Sequence, residues 1–217
     1  MEDSRLKLYN FSRSSASYRV RIIANLKGIT YDYASINLMR GESRQPSYEA
    51  LNPQGRVPAL EDNGRLIPQS MAICEYLEET HPKPAIFPPD PFGRARVRAI
   101  ALMVACEVHP IAGGRAQNYL GTLVNADSNK RAEWGRHWMS EGFREIEAFL
   151  AKSTETGRFC HGDTPTIADA FLIPQVYNAE RAGVDLAAFP TIRRIYQECH
   201  KLDAFANAAP ERQPDAA

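Results

Sequence analysis

Five prolines fall within HPKPAIFPPDPFG, residues 81–93. Proline has no backbone N–H and a fixed φ, so a stretch this rich in it favours an extended connection over a packed helix or strand. It cuts a chain of 217 residues into two pieces, each able to hold a core of its own. Residues 1–82 are expected to form one domain, 83–93 the link and 94–217 the second domain. The periodicity changes across the link. Before it, strand and helix signals alternate; after it the pattern is helical throughout.

In the first piece LKLYN (6–10) reads as a strand, SYRVRIIANLKG as a helix closed by Gly28, and YDYASINL as a second strand. A short helix is expected over 45–51. VPALED, the Asn63-Gly64 turn and RLIP read as a β-hairpin, and QSMAICEYLEET as an amphipathic helix stopped at His81-Pro82. The order βαβαββα, parallel in its first half and antiparallel in its second, is the thioredoxin-like arrangement. In the second piece helices are expected from Arg94 to about Val124 with a break near Pro110 and Gly113-Gly114, then over 130–152 and 167–182, and as a short pair from Thr191. The fold class is therefore α/β plus all-α, a thioredoxin-like domain followed by a helical bundle. The tail APERQPDAA is expected to be disordered.

Basic and acidic residues balance at 26 each. No global field draws the chain to nucleic acid or an anionic membrane, so anion binding must come from local arginine clusters. The acidic start MEDSR does not suit a secretory signal, and no apolar run is expected to cross a bilayer, which points to the cytoplasm. Cys74, Cys106, Cys160 and Cys199 lie far apart without metal-ligand spacing, so neither a disulfide framework nor a metal site is expected.

Ser14 and Ser15 stand where the first strand gives way to the first helix. One serine suffices as an N-cap. A second hydroxyl at a helix start, beside exposed N–H groups and a partial positive charge, can donate to an anion, including a thiolate. Arg19 and Arg21 oppose the helix dipole there, which makes sense beside an anion or a buried carboxylate. In NPQGRVPAL (52–60) a cis Val57-Pro58 bond would turn the backbone of Val57 outward to pair with an extended peptide. Gln69 and Ser70 begin another helix and offer an amide and a hydroxyl suited to a carboxylate. Anion sites at two helix starts with peptide-like pairing between them describe a small acidic peptide carrying a thiol. Thr166 and Asp169 form a T-x-x-D capping box, and His137 and Trp138 read as packing residues.

NFSRSSASYRVRI, NPQGRVPAL, PQSMAICEYLEE, ACEVHPIAGGR and GDTPTIADAFLIPQV together resemble the zeta-class glutathione transferases, in particular the bacterial maleylacetoacetate and maleylpyruvate isomerases. The resemblance runs over nearly the whole chain. It implies bound glutathione, a homodimer and a role in aromatic catabolism. It also implies Ser14 and Ser15 at the glutathione sulfur, Val57 and the cis Pro58 at its cysteinyl part, and Gln69 and Ser70 at its γ-glutamyl end. Arg13, His109, Arg115 and Arg181 match the residues that surround glutathione and the acidic substrate in the isomerases. Two departures stand out. Ala16 replaces the cysteine of the eukaryotic motif, and Ala112-Gly113 replaces a pair of asparagines after His-Pro.

A free thiol with a pKa of about 8.5 needs roughly 2.7 kcal/mol of thiolate stabilisation to act near neutrality. A helix start and one charged hydrogen bond supply that amount on order of magnitude. The reaction implied is thiolate addition to an activated cis double bond, rotation and elimination, with Arg13, Arg115 or Arg181 facing the charge that develops on the carbonyl oxygen. The rival readings are conjugation or thioether cleavage of an electrophilic aromatic compound on the same glutathione site, and a non-catalytic glutathione-binding or interaction domain.

Overall fold

The computed structural model describes residues 6–216. The acidic start MEDSR and the final residue of the tail lie outside the described residues. The chain forms two compact units: one runs to Ile86 and takes up the chain again from Leu202, the other is Phe87–Lys201.

In the first unit β1 (Lys7–Asn10), α1 (Ser15–Leu26), β2 (Asp32–Ser35), α2 (Pro46–Glu49), β3 (Ala59–Asp62), β4 (Arg65–Pro68) and α3 (Ser70–Thr80) follow in the expected order. The sheet runs β2-β1-β3-β4. β1 pairs parallel with β2, while β1–β3 and β3–β4 are antiparallel. α1 and α3 pack together. They and the sheet bury Leu8, Tyr18, Ile22, Ile23, Leu60, Ile73 and Leu77, the apolar positions that the helical and strand periods had picked out. α1 ends before Gly28, whose φ of 65° few side chains tolerate. The hairpin turns at Asn63 and Gly64 with φ of 48° and 75°, the two positive values that a type I′ turn demands. β2 is shorter than expected because Asn37 captures the chain beyond it: its Oδ1 accepts from the Met39 and Arg40 N–H groups at 2.9 and 3.1 Å, closing a turn where the ladder would have continued.

The link is narrower than its prolines suggest. Buried Lys27 Nζ donates to Glu78 Oε2 at 2.6 Å and to the His81 and Pro84 carbonyls at 2.7 and 2.8 Å, fixing the beginning of the link to the first unit. At its other end the Asp90 carboxylate accepts from Gly93 N–H at 2.8 Å and caps the next helix.

The second unit is helical: α4 (Pro91–Leu102), α5 (His109–Ala112), α6 (Gly114–Leu123), α7 (Ser128–Ala151), α8 (Ile167–Ala182) and α9 (Pro190–His200). Between α4 and α5 the helix widens into a π segment, Met103–Val108, just ahead of Pro110, which has no N–H to donate to the preceding turn. α7 approaches this segment at Gly142, where a Cβ would lie 2.1 Å from Val108 Cγ2. Contrary to the sequence expectation, among the described residues one helical run, Pro91–Leu123, has the length and hydropathy of a membrane span. Extended backbone at Gly113 interrupts it, and α4 packs on α8 within the unit. His137 and Trp138 meet edge to face, with ring centroids 5.1 Å apart.

The capping box forms as expected, with a further bond. Asp169 Oδ2 accepts from the Thr166 N–H and hydroxyl at 2.8 and 3.0 Å, and its Oδ1 from the Cys160 N–H at 2.8 Å. Burial pushes this carboxyl above its ordinary range against the pull of those bonds. Asp169→Ala orphans buried N–H groups at about 1–3 kcal/mol each and is expected to cost about 3 kcal/mol or more in chemical denaturation. Thr166→Ala is expected to cost about 1 kcal/mol. Equal losses in the two variants would contradict the wider role given to Asp169. Cys74, Cys160 and Cys199 are buried and unpaired, and Cys106 is exposed. Burial pushes the Cys74 thiol up to about 12, so it stays protonated at neutral pH.

The end of the chain corrects the expectation of a disordered tail belonging with the helical domain. α10 (Asp203–Ala206) packs on α1. The Arg21 guanidinium, 1% exposed, donates from Nε to the Ala208 carbonyl at 2.9 Å. Gln213 Nε2 donates to the Asn207 and Ala209 carbonyls, both at 2.9 Å. Asp215 accepts from Tyr33 and Ser35 of β2 and from Ser12. Polar composition does not leave a segment unfolded when its polar groups find fixed partners far away in sequence.

Candidate active site

The sheet register gathers one end of the first unit. Tyr9 of β1 stands opposite Ala59 of β3, and Ala59 opposite Pro68 of β4. The exit of β1, the entry to β3 and the exit of β4 therefore lie side by side. The segments flanking these three points carry Arg13-Ser14-Ser15, Val57-Pro58 and Gln69-Ser70, so the topology brings Arg13 and six of the residues expected at a glutathione site to one edge.

Ser14 is the N-cap of α1, its Oγ accepting from Ser17 N–H at 3.2 Å. A hydroxyl holds one proton and two lone pairs. Accepting a cap bond therefore leaves the O–H of Ser14 to donate elsewhere. Ser15 is buried as the first helical residue, and Arg13 is exposed on the turn before it. The Val57-Pro58 bond is cis, as expected. Val57 lies just ahead of the ladder, whose register begins at Ala59. Its approach is held by the Tyr48 hydroxyl and the Asn52 side-chain amide, both donating to the Arg56 carbonyl at 2.7 and 2.9 Å. Gly55 precedes it at φ 57°, where a Cβ would stand 2.8 Å from the Ser43 carbonyl.

Gln69 has φ 73° and ψ 120° at the start of α3 and does not cap the helix with its side chain. A non-glycine residue in this region costs about 1–3 kcal/mol and persists only where its surroundings over-determine it. Its Nε2 donates to Gln54 Oε1 at 2.9 Å. Ser70 Oγ accepts from Arg19 NH1 at 3.2 Å. Ser70 thus repeats the arrangement of Ser14: a fixed donor occupies a lone pair and the proton remains to be given.

Arg19 and Arg21, whose function the sequence left open between an anion and a carboxylate, are both buried. Arg19 serves Ser70. Arg21 is caged by oxygens: NH1 donates to Asn10 Oδ1 at 3.0 Å and the Phe11 carbonyl at 3.3 Å, and NH2 to the Ser12 carbonyl at 3.0 Å. Burial lowers its pKa against the fields of nearby tyrosines and of the Asp215 carboxylate.

The remaining expected residues belong to the helical unit. His109 is half-buried where the π segment passes into α5, and Arg115 is exposed in the first turn of α6, which packs on α5. Arg181 is exposed in the last turn of α8, its guanidinium 5.6 Å from the Tyr177 ring centroid. At the α5–α6 break the Ile111 and Ala112 carbonyls accept from Trp134 Nε1 and Gln117 Nε2 at 2.8 and 2.7 Å. A Cβ on Gly113 would stand 2.7 Å from the His109 carbonyl oxygen, so the glycine is required by this tight junction. A shallow cleft lined by Glu180, Asp185, Arg193 and Tyr196 elsewhere on this unit contains none of the expected residues.

Residues 8–85 match the glutathione S-transferase N-terminal domain, and residues 137–201 the C-terminal domain. The chain belongs to the glutathione S-transferase family. It is 47% identical over 212 residues to a maleylpyruvate isomerase from Ralstonia, covering 98% of this chain and all of the relative. Among solved structures it resembles a maleylpyruvate isomerase described as a zeta-class bacterial glutathione S-transferase. That match has a TM-score of 0.95 and 47% identity, over 97% of this chain and all of the other. A maleylacetoacetate isomerase from Methylobacterium extorquens AM1, solved with malonate and glutathione bound, aligns with a TM-score of 0.94 and 41% identity over 97% of this chain and 99% of that one. The glutathione S-transferase N-terminal match takes in β1, the hairpin and α3, the elements that carry the gathered edge.

Proposed function

We propose that this chain is a glutathione-dependent cis–trans isomerase of a small unsaturated keto-acid of the maleylacetoacetate or maleylpyruvate type, acting as a cytoplasmic homodimer. The observation that carries the reading is the pair of serine hydroxyls at two helix starts, Ser14 and Ser70. Each accepts a bond from a fixed protein donor and so has its proton available to an anion. The residues fit a γ-glutamyl-cysteinyl tripeptide. Gln69 and Ser70 take the γ-glutamyl carboxylate at the positive start of α3, the Val57 backbone pairs with the cysteinyl amide, and Ser14, assisted by Ser15, donates to the sulfur. When bound, glutathione supplies the thiolate that renders the double bond rotatable and leaves unchanged. By their match to the isomerase motifs, His109 is assigned to the tripeptide, Arg13 and Arg115 to the charge that grows on the carbonyl oxygen, and Arg181 to a substrate carboxylate. Exposed Tyr119, Leu123 and Val124, close together at the end of α6, support a dimer, since neighbouring exposed apolar side chains favour association.

The test is a direct assay of maleylacetoacetate and maleylpyruvate with and without glutathione, with turnover expected only in its presence. Arg181→Ala is expected to lower that turnover about 10-fold or more, the worth of one charge-assisted pair, and to spare conjugation of a neutral electrophile. The tight Ala112-Gly113 junction, with no polar side chains where the isomerases carry asparagines, favours a second reading as a transferase or thioether lyase. Wild-type enzyme that leaves both keto-acids unchanged yet forms or cleaves aromatic thioethers would establish it instead.

A further inference from the structure

We propose that Asp215, near the end of the chain, is a positioning residue for the Arg13-Ser14-Ser15 segment, acting through Ser12; the inference rests on the glutathione reading of Ser14. Ser12 is fully buried and is gripped on all sides. Its N–H donates to Asp215 Oδ2 at 3.2 Å, its hydroxyl donates to the Asp215 backbone carbonyl at 2.9 Å, and its own carbonyl accepts from Arg21 at 3.0 Å. The residues on either side are fixed as well: Arg21 holds Asn10 and Phe11, and Ser14 N–H donates to the Phe11 carbonyl at 3.0 Å.

Asp215 is anchored in turn. Tyr33 donates to its Oδ1 and Ser35 to its Oδ2, the latter at 2.9 Å, both from β2 at the sheet edge. Arg21 grips Ala208, and Gln213 ties the chain back to Asn207 and Ala209. Burial alone would raise the Asp215 carboxyl, but the bonds it accepts from Tyr33, Ser35 and Ser12 more than offset that and hold it below the ordinary range. The carboxylate therefore accepts at neutral pH.

The consequence concerns aim. Ser14 must serve two masters, the Ser17 N–H and a thiolate, and a cap hydroxyl whose preceding backbone is free to shift keeps the first bond and loses the second. Clamping every backbone polar group of Ser12 removes that freedom, and it does so without either Asp215 or Arg21 touching a reacting group. The γ-glutamyl end is held by Gln69 and Ser70, which the clamp does not reach. The clamp therefore predicts a split: thiolate formation and kcat suffer while glutathione affinity does not.

The experiment compares wild type, Asp215→Ala, Asp215→Asn and Tyr33→Phe in the full-length chain. Asp215→Ala is expected to lower kcat about 10-fold or more, as displacements imposed from outside a site do, and to move the thiolate absorbance of bound glutathione to higher pH. Glutathione affinity by calorimetry is expected to stay within about threefold, since the groups that bind its other end are untouched. Amide exchange at Ser12–Ser15 is expected to accelerate. Asp215→Asn keeps an acceptor for the Ser12 N–H and restores most of the loss; Tyr33→Phe, which loosens Asp215 without altering Ser12, falls between. A lowered melting temperature with an unmoved thiolate titration and unchanged exchange at Ser12–Ser15 overturns the proposal. Wild-type enzyme that binds no glutathione overturns the reading of Ser14, and faster exchange in Asp215→Ala would then report a clamp on a segment with another purpose.

Discussion

Ser14→Ala is expected to lower turnover at neutral pH about 10- to 100-fold, the loss of one hydrogen bond to a charged group at roughly 1.5–3 kcal/mol. Glutathione affinity should hardly change, because the donor that is lost faces the sulfur. Gln69→Ala should show the reverse, a weaker complex with a smaller effect on the bound reaction. A complication is that Ser14 also caps α1, so the alanine variant sheds about 1 kcal/mol of helix stability as well. Ser14→Asp separates the two duties. Aspartate caps as well as serine but has no proton to give at neutral pH and sets a negative charge against a thiolate. It is expected to keep the melting temperature of wild type and lose turnover as fully as alanine, with the rise of turnover on the acid side of the pH profile moved to higher pH in both. Turnover in Ser14→Asp near that of wild type would reduce Ser14 to a cap, and equal glutathione affinity in wild type and Gln69→Ala would remove the γ-glutamyl placement.

What the sequence disclosed was local in origin. The Asn63-Gly64 turn, the Gly28 stop and the Thr166–Asp169 capping box are each written within a few neighbouring residues, since the conformation they require is set by their own side chains. The gathered edge was legible in part from its own residues, two helix starts and an X-Pro bond between them, and in its detail through motif resemblance. Nothing in the composition says that Tyr9, Ala59 and Pro68 share a register, although once the βαβαββα order is accepted the antiparallel half brings those points together. The roles of Arg19 and Arg21 were out of reach because their partners are remote in sequence: Ser70 for one, Ala208 for the other. The tail was misread for the same reason. Its polar and proline-rich composition resembles that of a disordered end, and the property that orders it belongs to Ser12, Tyr33 and Ser35. The π segment before Pro110 had a visible cause, but a proline in a helix signals a fault without saying how wide the turn will open.

Arg21→Lys is expected to destabilise the protein by about 3 kcal/mol or more, although the charge is kept, because a buried guanidinium is here a scaffold for oxygens. Its donors serve Asn10 Oδ1, the Phe11 and Ser12 carbonyls and the Ala208 carbonyl, spread around the planar group at 2.9 to 3.3 Å. An ammonium has three donors at one point and cannot span them, so at least one buried acceptor is orphaned and a strongly hydrated ion must be desolvated in return for less. Arg21→Met removes the charge but orphans all four acceptors, and it is expected to be at least as damaging; the stabilisation sometimes gained by replacing buried ions with apolar groups requires every partner to be replaced as well. At roughly 2–4 °C per kcal/mol for a chain of this size, the lysine variant should melt about 6–12 °C lower. The loss also has a location. With the Ala208 bond gone, the chain after Leu202 loses an anchor on the first unit, so limited proteolysis should cleave the variant there before it attacks α7 or α8. A lysine variant that melts within about 2 °C of wild type, with its tail equally protected, would show that the oxygens around Arg21 can be satisfied without a guanidinium.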